Sequence, residues 1–416
     1  MDLLFLMFYY LLLYYPYQTY VLGAHSITEN TWIAKSYVEY SNKAIIASTI
    51  GLVTFMMGFS RKIKIKKISV YKKDYSQYQY KVLYMKILLV TVAFVGLFYA
   101  KGGMVMLSGS YLGSRTKDPM IDGLYTLLSV FVSVLAGFTI VYYKKYKSIN
   151  FYMAPALLVF LFYSYLTLVG GDRNTFFIVA IAAAGAYYSY IKSISKKMLV
   201  IYLFLALALY QVIEISRTAE DRSFGAIVAV IAGTSQSSAP TQVGDNVDQG
   251  SFSITNLVTR AAFYFVPGKD EHTYGKFLVI GFAGFIPYAR GAIVDPRDPD
   301  QSSSFYMTRV NGSGFGLGSS IIMDSYIEFG LVGILFFPYI LGWLGQYMQA
   351  KAQSGLSIKW GVVYLLALGT YAEISRYTFD FIIKNIGWAL LIFILFEFLV
   401  KARGKAPVAE ETEFIK

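Results

Sequence analysis

Residues 58–100, GFSRKIKIKKISVYKKDYSQYQYKVLYMKILLVTVAFVGLFYA, decide the fold of this chain. Residues 61–73 of this stretch carry seven lysine and arginine side chains. The apolar run Val82–Ala100 follows them, and a second apolar run, Ala44–Ser60, precedes them. A strongly basic segment between two apolar runs is typical of a cytoplasmic loop, because lysine and arginine accumulate in the loops that stay inside. We therefore predict an all-α polytopic membrane protein in which this loop faces the cytoplasm.

The composition agrees with a membrane protein. The chain of 416 residues is 56% apolar, 18% aromatic and only 15% charged, whereas soluble domains are about a quarter charged. Thirty-seven tyrosines suit an aromatic belt at the lipid interface. The net charge of +12 is explained by basic loops beside apolar spans, and we expect no nucleic-acid partner. The absence of cysteine excludes disulfides and thiolate chemistry.

The hydropathy pattern predicts about ten transmembrane helices. They lie near Leu3–Leu22, Ala44–Ser60, Val82–Ala100, Ile121–Tyr143, Tyr152–Gly170, Thr175–Ile191, Met198–Ile215, Gly330–Met348, Trp360–Ile374 and Tyr377–Val400. The first run lacks a basic leader and is interpreted as a retained span. With ten spans, every lysine-rich connection falls on one face and both termini are cytoplasmic. The chain then divides into seven spans (1–215), a large extracytoplasmic loop (216–325), three spans (326–400) and a cytoplasmic tail (401–416).

Short apolar pieces interrupt the large loop. Residues 224–231, 252–266 and 277–287 are too short to cross a bilayer, and they suit amphipathic helices at the outer interface. The rest of the loop is rich in Ser, Gly, Asp and Pro, which favours turns.

Arginine is distributed unevenly between the two faces. Nine of the eleven arginines fall on the predicted outer face, where the charge rule for topology does not require them. A guanidinium group offers a rigid fork that matches two phosphate oxygens at once. We therefore predict recognition of a pyrophosphate-linked substrate presented from the bilayer. The candidate contacts are Arg173, Arg217, Arg290, Arg309 and Arg376.

Three of the five candidate arginines also have a simpler interpretation. Arg173 lies in a Gly-Gly-Asp-Arg-Asn turn and suits a lipid-surface anchor partnered by Asp172. Arg217 and Asp221 are four residues apart, as are Arg376 and Asp380, so both arginines also suit ion pairs along a helix.

Two carboxylates are candidates for catalysis. Asp324 and Glu328 are four residues apart, so they share one helical face at the outer end of the eighth span. Such a pair can position or deprotonate an acceptor hydroxyl, or it can cap a helix. Asp295, Asp298 and Asp300 are better explained by a proline-rich turn than by a metal site, and the two histidines are too isolated for zinc. We expect no metal and no cofactor.

These features together resemble the bacterial O-antigen polymerase (Wzy) family. The likeness rests on about ten spans, a large outer loop, Gly-x-Arg in 171–173, the outer arginines, and Asp324 followed by Glu328-x-Gly330-x-x-Gly333. Arg222 and Gly233 also match the family's Arg-x10-Gly spacing. The related O-antigen ligases carry a histidine before a similar glycine-rich segment. Here Gly318-Ser319-Ser320 contains none, which favours a polymerase and leaves the base unidentified.

The resemblance implies a GT-C-like glycosyltransferase of the bacterial inner membrane. Its active site would be periplasmic, and its substrates would be two undecaprenyl-pyrophosphate oligosaccharides. One inverting, metal-independent step would move the growing chain onto a nonreducing hydroxyl of the incoming repeat unit. A chain-length regulator (polysaccharide co-polymerase) would be a partner. The alternatives are an O-antigen ligase and a flippase, although the nearly charge-free spans favour surface chemistry over alternating access.

Overall fold

The computed structural model describes ten segments of the chain. These are residues 37–63, 76–103, 119–148, 153–169, 173–191, 251–285, 302–312, 318–353, 358–372 and 377–402, together with residues 195, 197–198, 200–202, 205, 300 and 374. They form eleven α-helices and no strand, so the all-α prediction is confirmed for this part of the chain. The helices are α1 (Ser41–Phe59), α2 (Gln77–Ala100), α3 (Pro119–Tyr146), α4 (Ala154–Val169), α5 (Arg173–Tyr190), α6 (Ser251–Phe265), α7 (Lys276–Phe285), α8 (Ser303–Asn311), α9 (Ile321–Gln353), α10 (Ile358–Ala372) and α11 (Phe379–Ala402).

Five of these helices contain a stretch that is long and apolar enough to cross a membrane. The stretches lie in α1, α2, α3, α9 and α11. Helices α4, α5 and α10 coincide with three further predicted spans but are shorter. The first predicted span lies outside the described residues, and the seventh is described at only a few positions. A membrane protein is therefore supported, whereas the number ten, the GT-C likeness and the division into four regions stay predictions.

Helices α1 and α9 pack closely against each other. A Cβ atom added to Gly58 would meet the carbonyl oxygen of Tyr339, and one added to Gly342 would meet the carbonyl oxygen of Phe55. A Cβ atom on Gly51 would meet the side chain of Ile322. Small residues let two helix backbones approach in this way, and such packing drives helix association in lipid, where the surrounding chains are as apolar as the side chains. This helix pair therefore depends on glycine.

Aromatic rings pack in the interior of the bundle. The ring of Phe138 in α3 lies 5.4 Å from that of Tyr84 in α2 and 6.2 Å from that of Phe393 in α11. All three side chains are fully buried. These contacts join α2, α3 and α11 into one packed core.

Helix α9 bends sharply near its start. Phe329 has φ −140° and ψ 20°, and Gly330 has φ 62° and ψ −144°, so neither residue is helical. The second conformation is essentially restricted to glycine. The bend brings Gly333 against the carbonyl oxygen of Ser325, where a side chain has no room. The eighth span was expected to begin at Gly330; instead the helix begins at Ile321, and Gly330 lies at the bend.

The short helices α6 and α8 gather at the end of the bundle where α1 begins. Helix α6 contacts the start of α1, the 3-10 turn Val38–Tyr40 before it, α8 and α9. Helix α7 packs along α11. Helices α6 and α7 coincide with two of the three short apolar pieces of the predicted loop, and the third piece lies outside the described residues.

Candidate functional site at the bend of α9

The carboxylate of Glu328 lies at the bend and is fully buried. It accepts hydrogen bonds from the Thr273 hydroxyl at 3.0 Å, from the backbone N–H of Leu278 at 3.0 Å and from the backbone N–H of Gly275. Because Gly275 precedes α7 and Leu278 lies in its first turn, the carboxylate supplies the acceptor that this helix start needs. Glu328 therefore joins the bend of α9 to the start of α7.

The backbone next to Glu328 makes two more bonds to the same segment. The N–H of Thr273 donates to the carbonyl of Ile327, and the N–H of Tyr274 donates to the carbonyl of Glu328, both at 3.0 Å. A bend leaves helix carbonyls without intrahelical partners, so these donors replace the missing bonds. The ring of His272 lies against Gly330, because a Cβ atom there would be 3.3 Å from two of its atoms. Residues 272–278 thus close around the bend.

The second carboxylate, Asp324, lies one turn earlier and is also fully buried. It accepts a hydrogen bond from the Ser319 hydroxyl and another, at 2.9 Å, from the backbone N–H of Phe379, the first residue of α11. The hydroxyl of Ser303 in α8 lies 3.3 Å from that of Ser319. Asp324 therefore links the starts of α9 and α11 to α8.

Both predicted catalytic carboxylates thus receive N–H donors at the start of another helix. The structure brings them together with α7, α8 and α11 in one buried polar cluster. A direct contact between either carboxylate and an acceptor hydroxyl stays a prediction.

Arg309 is the predicted phosphate contact whose side chain is described. Its Nε and Nη2 atoms donate to the two carboxylate oxygens of Asp300, each at 2.7 Å. Its guanidinium carbon lies 5.5 Å from the ring centre of Tyr306, whose hydroxyl donates to Asp270 at 2.9 Å. The hydrogen bonding between Arg309 and Asp300 raises the pKa of Arg309, so the guanidinium group is permanently charged. Its contact with pyrophosphate stays a prediction.

The side chains of the other four predicted arginines lie outside what the structure describes. Arg173 is the first residue of α5. Arg217, Arg290 and Arg376 lie outside the described residues. Their predicted role therefore remains a prediction.

The structure singles out a different arginine, Arg260 in α6, which was not among the predicted contacts. It is only 2% exposed. Its Nη1 atom donates to the hydroxyl of Ser41 at 3.3 Å, whereas Nε and Nη2 have no hydrogen-bond partner among the described residues. Burial lowers the pKa of this guanidinium to about 10, and the carboxylate of Glu39 opposes that shift. The group therefore remains charged at neutral pH.

One feature of the sequence distinguishes Arg260. No other charged residue lies between Asp248 and Lys269, so Arg260 has no partner within one helical turn. Its hydrogen-bond partner Ser41 is 219 positions away in the chain. An isolated arginine in an apolar helix was therefore a usable signal, but its surroundings were not predictable from local spacing.

The chain matches one protein family along nearly all of its length. The model of the family described as O-antigen polysaccharide polymerase Wzy matches residues 1–403. No curated protein and no solved structure gives a significant match. The chain therefore belongs to the O-antigen polysaccharide polymerase Wzy family, and the earlier resemblance is confirmed. It is an O-antigen polymerase, a membrane glycosyltransferase-type enzyme that acts on lipid-linked oligosaccharides in lipopolysaccharide biosynthesis.

Proposed function

We propose that this polymerase transfers the growing glycan from one undecaprenyl pyrophosphate to the nonreducing-end hydroxyl of a second, lipid-linked repeat unit. The bond between the donor anomeric carbon and the phosphate oxygen breaks, and a bond from that carbon to the acceptor oxygen forms. The acceptor proton passes to a base, and undecaprenyl pyrophosphate leaves. A single displacement of this kind inverts the anomeric configuration. The reaction takes place at the periplasmic face of the inner membrane, with both termini of the enzyme in the cytoplasm.

One observation supports a reaction at a single face of the membrane. Among the described residues, the fully buried acidic and basic side chains are Arg260, Asp324 and Glu328. Asp324 and Glu328 lie near the start of α9, and Arg260 lies in α6, which contacts α9. A transporter typically carries ionisable groups near the middle of broken helices. Buried ionisable side chains gathered at one end of the helical bundle suit a reaction at the membrane surface.

The transition state sets two demands, which we assign to different residues. Negative charge develops on the leaving pyrophosphate and needs fixed cationic donors. We assign this role to Arg173, Arg217, Arg290, Arg309 and Arg376, so that no metal ion is required. The acceptor hydroxyl must also be oriented. We assign this to Asp324 and Glu328, which organise the segments around the bend. A chain-length regulator is the expected protein partner.

A defined polymerisation assay tests the proposal. Purified enzyme is incubated with one lipid-pyrophosphate repeat unit, without nucleotide and in the presence of a chelator of divalent cations. We expect a ladder of polymers with the anomeric configuration opposite to that of the donor bond. A requirement for a divalent cation would contradict the metal-independent mechanism. A single transfer to a lipid A core acceptor would indicate a ligase, and translocation without a product would indicate a flippase.

Arginine-to-lysine variants test the assigned contacts. We expect Arg217→Lys and Arg290→Lys to lose most activity while membrane insertion persists, because a point charge does not replace a two-pronged donor. Arg61→Lys is the matched control, since Arg61 follows the last residue of α1, at the end opposite to the short helices, and donates to the hydroxyl of Tyr339. Polymer yields from both test variants equal to that of the control would rule out the assignment.

A further inference from the structure

Among the described residues, three buried side-chain nitrogen atoms in one corner of the molecule donate to no acceptor. Two are Nε and Nη2 of Arg260, and the third is Nδ2 of Asn311 at the end of α8. Both side chains are at most 4% exposed. The other buried side-chain atoms without a partner among the described residues are hydroxyl groups and one amide oxygen, which also accept hydrogen bonds. Arg260 and Asn311 thus leave an excess of pure donors in the interior.

The two side chains belong to one corner because Tyr37 connects their surroundings. The hydroxyl of Tyr37 donates to Oδ1 of Asn311 at 2.9 Å, and its ring lies 4.9 Å from that of Tyr264. Tyr264 lies one turn after Arg260 on α6. The corner is therefore formed by the 3-10 turn with α1, by α6 and by α8.

The electrostatics of the corner favour a negative charge. The guanidinium touches Ser41, the first residue of α1, and so lies at the positive end of that helix dipole. The residue before α1, Tyr40, supplies no side-chain hydrogen bond to cap it. The carboxylate of Glu39 attracts the Arg260 guanidinium, but it is exposed to solvent, so this attraction is partly screened. A buried cation at a positive helix end with unused donors is costly unless an anion joins it.

We propose that Arg260 and Asn311 bind phosphate oxygens of the lipid-linked substrate. The planar guanidinium group offers two donors to two oxygens, and the Asn311 amide offers a further donor. That the anion is a polyprenyl diphosphate rests on the proposed function, whereas the presence of an anion site does not. Because Arg260 is 2% exposed, the anion reaches it only when neighbouring groups move apart, so association is slower than diffusion-limited.

Ligand-induced thermal stabilisation of the purified enzyme in phosphatidylcholine nanodiscs tests the proposal. The probes are farnesyl diphosphate, farnesyl monophosphate and inorganic diphosphate. We expect farnesyl diphosphate to raise the Tm of the native enzyme and of Arg61→Lys equally. Arg260→Lys is expected to lower the affinity about tenfold, because the lysine cannot present a fork. Arg260→Met is expected to abolish the ligand-induced shift, while its Tm without ligand equals or exceeds that of the native enzyme because unsatisfied donors are removed.

A second variant covers the case in which Arg260→Met does not fold. Asn311→Asp keeps an acceptor for Tyr37 and replaces the unpartnered donor by a carboxylate that repels the anion. Affinity for farnesyl diphosphate within about twofold of the native value in Asn311→Asp and Arg260→Lys would overturn the proposal. Equal stabilisation by phosphatidylglycerol nanodiscs alone would indicate a lipid headgroup and overturn the assignment to the diphosphate substrate.

The same experiments distinguish a failure of the proposed polymerase reaction from a failure of the proposed anion site at Arg260 and Asn311. An enzyme that binds farnesyl diphosphate through Arg260 but makes no polymer would support the anion site and contradict the proposed reaction. An enzyme that polymerises and binds equally well with and without the Arg260 side chain would contradict the anion site alone.

Discussion

Replacement of Gly330 by alanine tests the structural basis of the site. Gly330 adopts φ 62° and ψ −144°, a combination that side-chain-bearing residues essentially avoid. Forcing alanine into such a region costs about 1–3 kcal/mol. The new Cβ atom would also lie 3.3 Å from Cε1 and Nε2 of His272, and crowding of this kind adds about 1 kcal/mol. We therefore expect Gly330→Ala to lose about 2–4 kcal/mol of stability.

Thermal unfolding in detergent, followed by tryptophan fluorescence, measures this loss. The matched control is Gly123→Ala in α3, where an added Cβ atom has no neighbour within 4 Å. Alanine stabilises a helix interior relative to glycine by about 0.5–1 kcal/mol, so the control should melt at or above the native temperature. A Gly330→Ala enzyme that melts with the control would refute the reasoning, because the bend would then not require glycine.

Three further variants follow from other contacts. Gly58→Ala should lower the Tm because a Cβ atom there meets a backbone carbonyl of α9. Gly96→Ala is the control and should not lower the Tm, since an added Cβ atom has no neighbour within 4 Å. Equal melting temperatures of the two variants would contradict close packing of α1 on α9. Glu328→Gln should increase hydrogen exchange of residues 273–278, measured by mass spectrometry, since a neutral amide accepts less strongly than a carboxylate; unchanged exchange would contradict its role at the start of α7. Asp300→Asn should change stability by less than about 1 kcal/mol in thermal unfolding, because the pair with Arg309 is partly exposed; a larger loss would show that this pair organises the loop.

The apolar runs were predictable because helix length and hydropathy act locally. Helices α1, α2, α3 and α11 lie where the sequence predicted spans. The bend in α9 was not predicted. A hydropathy window does not detect a positive φ angle, so Gly330 was interpreted as the start of a span although the helix begins at Ile321. The sequence contains the spacing of Gly330 and Gly333 but does not reveal the contact between Gly333 and the Ser325 carbonyl, which leaves no room for a side chain.

The partners of the site residues were not predictable for a different reason. Spacing within a helix correctly placed Asp324 and Glu328 in one helical segment. The backbone donors to these carboxylates include Phe379 and Gly275, which are 55 and 53 positions away along the chain. Sequence patterns report neighbours within about one turn, whereas burial is decided by contacts of this long range. The same limit hid Arg260, whose hydrogen-bond partner belongs to α1.

The bend and the buried arginine are mechanically connected through Tyr326. The ring of Tyr326 lies 4.0 Å from that of Phe263 in α6, and its hydroxyl donates to the carbonyl of Val266 at 3.0 Å. Since Phe263 lies in the last turn of α6 and Val266 directly follows that helix, the part of α9 before the bend holds the end of the helix that carries Arg260. Glu328 fixes the next segment of the chain to the same bend. Besides its assigned role toward the acceptor hydroxyl, Glu328 therefore affects where the guanidinium of Arg260 lies, because both depend on the same turn of α9.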